Sequence, residues 1–232
     1  MWNGKKKAVT FSFDDGVTQD IRAIEILDKY GLKATFNINS GLLGINATAT
    51  KGDVTTTHNK ISKEDFSDVY KNHEVAAHTV FHTRLTTLSD DEVIKAVNDD
   101  IRALEELVGY EVRVMAYPCG GVNNDDRVAE LIKNNTKIQL ARTITSTHEF
   151  CKQDNYHRFN PSVYMAEKDI MDVVDKFLSS NSDEPQLLYL WGHTYEFDFA
   201  YPTWELFEKV CKKLSCHDDI FYGTNSEVLL NV

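Results

Sequence analysis

Short apolar runs separated by amphipathic stretches of helical length recur along this chain, and that alternation restricts it to α/β architectures. The runs are Lys7–Phe13, Lys33–Asn39, Glu74–His78, Val112–Tyr117, Ile138–Ile144, His157–Val163, Gln186–Gly192 and Ile220–Gly223. Several are continuously apolar or β-branched, as strands buried on both faces are. Between them, Thr18–Tyr30 sets Ile21, Ile24, Ile26 and Leu27 mainly on one face and stops before Gly31. Ser62 with Asp65 predicts a capped helix running toward Lys71. Ser89–Val108 is a long amphipathic helix with Ser89 as N-cap and Gly109 at its end. Asn123–Asn134, Glu167–Ser180 and Tyr201–Leu214 are further helical candidates. Seven or eight such strand–helix units predict a parallel sheet, and the count favours a closed barrel with seven or eight parallel strands.

A chain of 232 residues is long enough for one barrel domain covering 1–232. The stretch Ser40–Lys60, rich in Gly, Thr and Asn, reads as a long loop, and loops of that length inside compact domains are often functional. It is expected to border the site.

Charge narrows the partners. Lys and Arg total 25 against 36 Asp and Glu, a net charge of −11, which opposes binding to a phosphate backbone. Nucleic acid is therefore not expected, and a neutral sugar or small amide suits the charge better. No apolar run approaches the ~20 residues of a membrane-spanning helix, so no membrane partner is expected. Met1 leads through three lysines into an apolar run too short for a signal-peptide core, which predicts a cytoplasmic protein. Cys119, Cys151, Cys211 and Cys216 follow neither a zinc-knuckle nor a disulfide spacing and are read as free thiols.

Two segments carry chemistry. The run Val9 to Phe13 leads straight into Asp14-Asp15-Gly16. Asp-Gly is ordinary turn chemistry, but in a parallel barrel the C-terminal strand ends form the active face, and adjacent side chains there point in different directions. Two carboxylates can then do two jobs. His78 and His82 follow the apolar strand Glu74–Ala77 at i and i+4, a spacing that shares a face if the segment turns helical. Two neutral imidazoles and one carboxylate are a common ligand set for catalytic zinc.

Phe13-Asp14-Asp15-Gly16 and His78-Thr79-x-x-His82 resemble the first two signatures of the polysaccharide deacetylases, in the same order and at similar separation. The resemblance implies a distorted (β/α) barrel, Asp14 as general base, and Asp15, His78 and His82 as ligands of zinc or a similar divalent ion, with cobalt, nickel and manganese the other candidates. Ala116-Tyr117-Pro118-Cys119-Gly120 resembles the third signature, whose residue after the proline offers a backbone N–H to the oxyanion; here that is Cys119. Family members often carry an arginine two residues before that proline to pair with the base, whereas this chain has Ala116. Arg142, near the end of the next strand, is the candidate substitute, with a purely structural ion pair or a solvated side chain as the alternatives. Leu188-Tyr189-Leu190-Trp191-Gly192-His193 resembles the last signature and implies His193 as the general acid. The family's aspartate-tryptophan element has no counterpart; Glu196 or Asp198, just beyond His193, is the candidate replacement, with a solvated loop acid as the equal alternative for each.

The other histidines, His58, His73, His148, His157 and His217, match no signature and are read as structural or surface, His148 lying in the long Thr145–Asn155 loop. Trp191, Tyr195 and Trp204 are candidates for stacking on a sugar ring. The expected activity is metal-dependent hydrolysis of an N- or O-acetyl group on a carbohydrate. Hydrolysis of a non-sugar or cyclic amide is the alternative, and a non-catalytic carbohydrate-binding protein a second one.

Overall fold

The computed structural model describes residues 1–231. The first half of the chain forms β1 (Lys7–Asp14), α1 (Asp20–Lys29), β2 (Ala34–Ile38), β3 (Thr48–Lys51), β4 (Val54–Thr57), α2 (Lys63–Tyr70), β5 (Glu74–Ala77) and α3 (Asp90–Val108). The second half forms β6 (Val114–Ala116), α4 (Asp126–Asn135), β7 (Leu140–Arg142), β8 (Val163–Tyr164), α5 (Ile170–Ser179), β9 (Gln186–Gly192), α6 (Trp204–Leu214), β10 (Ile220–Tyr222) and α7 (Asn225–Leu229).

Eight of these strands make one parallel sheet in the order β7-β6-β5-β2-β1-β9-β8, with β10 beside β1 off that path. Lys7 to Val9 of β1 pair with β10 and Phe11 to Asp14 pair with β2, so two short strands share one flank of β1 while β9 covers the other. The sheet curls into the expected distorted barrel. Its two edges approach through a single bridge, Arg142 to Phe159, before the chain reaches β8 and pairs with β9. The strand expected over His157–Val163 is accordingly broken: residues 156–158 form a 3-10 turn, and Pro161, which has no N–H to give a ladder, precedes the two-residue β8.

Alternation along β1 sorts the layers. Phe11 and Phe13 pack outward against Phe207 of α6, and Phe13 also meets Phe36 and Phe197. Each such buried ring contributes roughly 1.5–3 kcal/mol. The alternate residues Ala8, Thr10, Ser12 and Asp14 belong to the barrel interior. Its lower part is apolar, with Ala8, Ala76, Val114, Leu140, Leu187 and Tyr189 plugged by Trp2, Val228 and Leu229. The upper part is polar and opens at the strand C-termini.

Caps fall where the residue types put them. Ser89 and Glu92 form a capping box on α3, which ends at Gly109 with φ 74°. Ser62 accepts from Asp65 N at the start of α2. Beside α1, which starts at Asp20 and not Thr18, three further helices begin later than expected. Asp125 caps α4, Thr203 caps α6, and α5 begins at Ile170, because Asn123, Glu167 and the Tyr201-Pro202 pair are used in the loops that precede them. The segment Ser40–Lys60 is not a plain loop: its centre folds into the antiparallel hairpin β3–β4.

Candidate active site

Asp14 and Asp15 stand at the top of β1, and the backbone separates their directions. Asp15 has φ 84° and Gly16 φ 63°. A Cβ at Gly16 would meet Ile38 Cδ1 at 2.8 Å, so glycine answers both the conformation and the space. Asp14 stays on the interior face. There Arg142 Nη2 donates to both its oxygens at 2.5 and 2.6 Å, and Asn37 Nδ2 donates to Oδ1 at 2.8 Å. Arg142 is fully buried, lies over the Trp191 ring at 4.6 Å and gives its other terminal N–H to Thr143 O. Burial raises the Asp14 pKa, but Arg142 and the neighbouring histidines outweigh that and hold it below the ordinary carboxylate value.

Asp15 turns toward the two histidines. Its Oδ1 lies 3.9 Å from His78 Nε2 and 3.5 Å from His82 Nε2. Ligand atoms of this trio all lie within 4.8 Å of one another. The i, i+4 spacing of the histidines works here without a helix. Thr79 and His82 both adopt positive φ, 62° and 55°. Asn39 Nδ2 donates to His78 O and Thr79 O, and Asp100 of α3 accepts from His78 N and from Ser40 N and Oγ. The turn is held from outside by these side chains rather than by its own ladder.

The donor set fits a divalent cation. His78 Nδ1 donates to Ala116 O at 2.8 Å, which leaves the Nε2 lone pair facing Asp15. Burial pushes His78 down to about 4 and lowers His82 as well, so both imidazoles are neutral, as ligands must be. Burial opposes ionisation of Asp15, yet the His58 hydrogen bond, with His193 and Lys60 nearby, keeps it well below the ordinary range. Two neutral nitrogens and one carboxylate result, the composition of a common zinc site with a position left open.

Cys119 has φ 70°, and Asn123 Nδ2 donates to Tyr117 O and Cys119 O to fix that turn. The Cys119 N–H consequently points at His82 Nε2, 3.4 Å away, into the ligand cluster. Across the cavity, His193 Nε2 lies 3.9 Å from Asp14 Oδ2 and Nδ1 lies 3.3 Å from Glu196 Oε2, an ionic contact outside hydrogen-bond angles. Burial lowers the His193 pKa, but Glu196 and the Asp14 and Asp15 charges overcome it and raise it to about 9. Tyr164 Oη donates to the other Glu196 oxygen. Of the two candidate acids, Glu196 is the one beside His193. Asp198 instead accepts from Gln19, Thr56 and Trp204.

Asp14, Asp15, His78, His82, Cys119 and His193 line one cavity of about 270 Å³, and Arg142 lies beneath it. A roomier cleft of about 480 Å³ beside Phe81 and Lys95 contains none of these groups. Of the aromatic candidates, Tyr195 and Trp191 both line the cavity, Trp191 by its edge. Trp191 is stacked on Tyr164 and covers Arg142, and Trp204 packs against Phe197 and Phe207 in the helical layer. Neither tryptophan offers a free face.

One histidine read as structural or surface belongs to the site. His58 Nε2 lies 3.2 Å from Asp15 Oδ2, and buried Lys60 donates to Asp15 O at 2.7 Å. The expectation that residues 40–60 border the site was the only sequence signal for them. His73, His157 and His217 bond to backbone, and His148 pairs with Glu167, whose other oxygen is already taken by Ser146 Oγ and Tyr164 N. The free cysteines are as expected.

The fold and site together define a parallel α/β barrel with a His-His-Asp cluster beside a buried carboxylate. Residues 2–137 match the family model for polysaccharide deacetylase, and the chain belongs to that family. No curated protein matches. Among solved structures, the Bacillus subtilis peptidoglycan deacetylase PdaC is 20% identical, with TM-score 0.53, over 96% of this chain and 90% of that one. The family 4 carbohydrate esterase from Streptomyces lividans, in complex with acetate, is 12% identical, with TM-score 0.53, over 95% and 93%. The Streptococcus pyogenes deacetylase PplD, also with acetate, is 25% identical, with TM-score 0.51, over 62% of this chain; the match spans 58% of that chain's length.

Proposed function

We propose that this protein is a metal-dependent hydrolase that removes acetyl groups from a carbohydrate. The observation that carries this reading is the convergence of the Asp15, His78 and His82 ligand atoms beside Asp14, a carboxylate outside the ligand set and fixed by Arg142. Membership of the polysaccharide deacetylase family supports the reaction class. Asp15, His78 and His82 would hold the ion, zinc being the first candidate from the donor set. Such an ion, when bound, polarises the acetyl carbonyl and makes a water more acidic.

The chain's own groups supply the remainder. Asp14 accepts the proton of the attacking water, since its lowered pKa keeps it ionised and Arg142 aims it. Cys119 N–H offers a hydrogen bond to the developing oxyanion on the cluster side of the cavity. His193, protonated at neutral pH, donates a proton to the departing amine or alcohol.

Acetate release from acetylated chito-oligosaccharides, acetylated xylan and simple acetyl esters tests the reading. Release should vanish with chelator and return with zinc. Metal-loaded protein that releases no acetate from any of them would move the assignment to a non-sugar amide.

The acid's role gives a second test. Because the His193 pKa is raised, its proton is present below about pH 9 and is lost above it, so activity should fall along an alkaline limb. Glu196→Gln removes the negative charge beside Nδ1 and should move that limb to lower pH. A limb at the same pH in both proteins would separate Glu196 from the acid.

A further inference from the structure

Residues 58–61 are laced against the segment that carries Asp15. Ile61 N donates to Gly16 O at 3.0 Å, Thr18 N donates to Asn59 O at 2.8 Å, and Val17 and Lys60 form an antiparallel bridge. The β3–β4 hairpin before them is fastened from the other side. Gln19 Nε2 donates to Thr57 O and to Asp198 Oδ2, and Thr56 Oγ1 donates to that same oxygen, all within 2.8–2.9 Å. His58 therefore arrives at Asp15 in a fixed register, its ring set edge-on against Tyr195 with centroids 4.5 Å apart.

The two Asp15 oxygens are divided between different neighbours. Oδ1 faces His78 and His82 at 3.9 and 3.5 Å, while Oδ2 meets His58 Nε2 at 3.2 Å. An ionised carboxylate only accepts, so His58 must carry its proton on Nε2. The mutually close group of possible ligand atoms at this site contains Asp15, His78 and His82 and not His58.

We infer that His58 is a positioning residue for the ligand carboxylate: by donating to Oδ2 it holds Asp15 so that Oδ1 is the oxygen presented to the ion. The inference rests on the metal reading proposed above. A carboxylate free to rotate must be ordered when the ion binds, and a hydrogen-bonded one is already ordered. Partners of this kind change metal affinity by about 10–100-fold. The hairpin, which contributes no ligand of its own, thus acquires a purpose: it brings the donor that completes the site.

The test is equilibrium competition for zinc and for cobalt between a chromophoric chelator and the full chain, for wild type, His58→Ala and His58→Gln. His58→Ala should bind about 10–100-fold more weakly, with an unchanged far-ultraviolet circular dichroism spectrum. His58→Gln, whose amide N–H can reach the same oxygen, should recover most of the loss. The visible absorption of the cobalt form should be the same in wild type and His58→Ala, because no ligand is exchanged. Equal affinity in wild type and His58→Ala overturns the positioning role while leaving the metal reading intact. An altered cobalt spectrum overturns it too, by making His58 a ligand. Wild-type protein that takes up neither ion overturns the metal reading, and this inference with it.

Discussion

Asp14→Asn will lower kcat for acetate release by about 10²–10⁴-fold, the range for loss of a positioned general base. The site predicts that metal affinity will change little, because Asp15, His78 and His82 remain and Asp14 is outside that group. The asparagine keeps the volume but loses the charge, so it can neither take a proton from water nor compensate Arg142, which is fully buried. Some stability will be lost as well. The rate should therefore be normalised to folded, metal-loaded protein, from metal content and circular dichroism on the same sample. Asp14→Asn protein with wild-type kcat under those conditions would mean that another group takes the proton. A loss of rate matched by a loss of bound metal would make Asp14 a ligand instead.

Much of this site was legible because its chemistry sits at strand ends. Asp14, Asp15, His78 and His193 each follow an apolar run, and the alternation of runs with amphipathic stretches was enough to predict a barrel whose strand termini meet. Arg142 was reachable only as a candidate: the family resemblance sets an arginine where this chain has Ala116, and Arg142 on the next strand stood as its substitute beside a structural ion pair or a solvated side chain. What escaped was geometry that depends on irregular backbone. His78 and His82 look helical by spacing, yet left-handed residues at Thr79 and His82 bring them together under the hold of Asn39 and Asp100. His58 was passed over because its partner is set by the register of residues 58–61 on residues 16–18, a pairing with no periodic pattern behind it. Glu196 and Asp198 could not be told apart in sequence. They separate only because the 3-10 turn over Thr194–Asp198 points one at His193 and the other at Gln19 and the hairpin.

Arg142→Met should cost about 3–5 kcal/mol of stability, the range found when one member of a buried ion pair is removed. Methionine retains much of the aliphatic packing under Trp191, so the loss reads out the charge rather than a cavity. What remains is Asp14 buried without its strongest partner, and burial then favours its neutral form. The pH dependence follows from the direction of the wild-type shift. Asp14 has a folded pKa below its ordinary value of 3.8, so its contribution to stability is present above that value and is lost as pH falls through the lowered one. Removing Arg142 abolishes that contribution and raises the folded pKa. The stability gap between wild type and Arg142→Met should accordingly be widest near neutrality and shrink on acidification. Denaturant unfolding across pH 3–7 measures it. A gap that stays constant with pH would assign the damage to lost packing. A variant as stable as wild type at neutral pH would mean that Asp14 finds another partner in the barrel, with Asn37, already bonded to Oδ1, the group in position to serve.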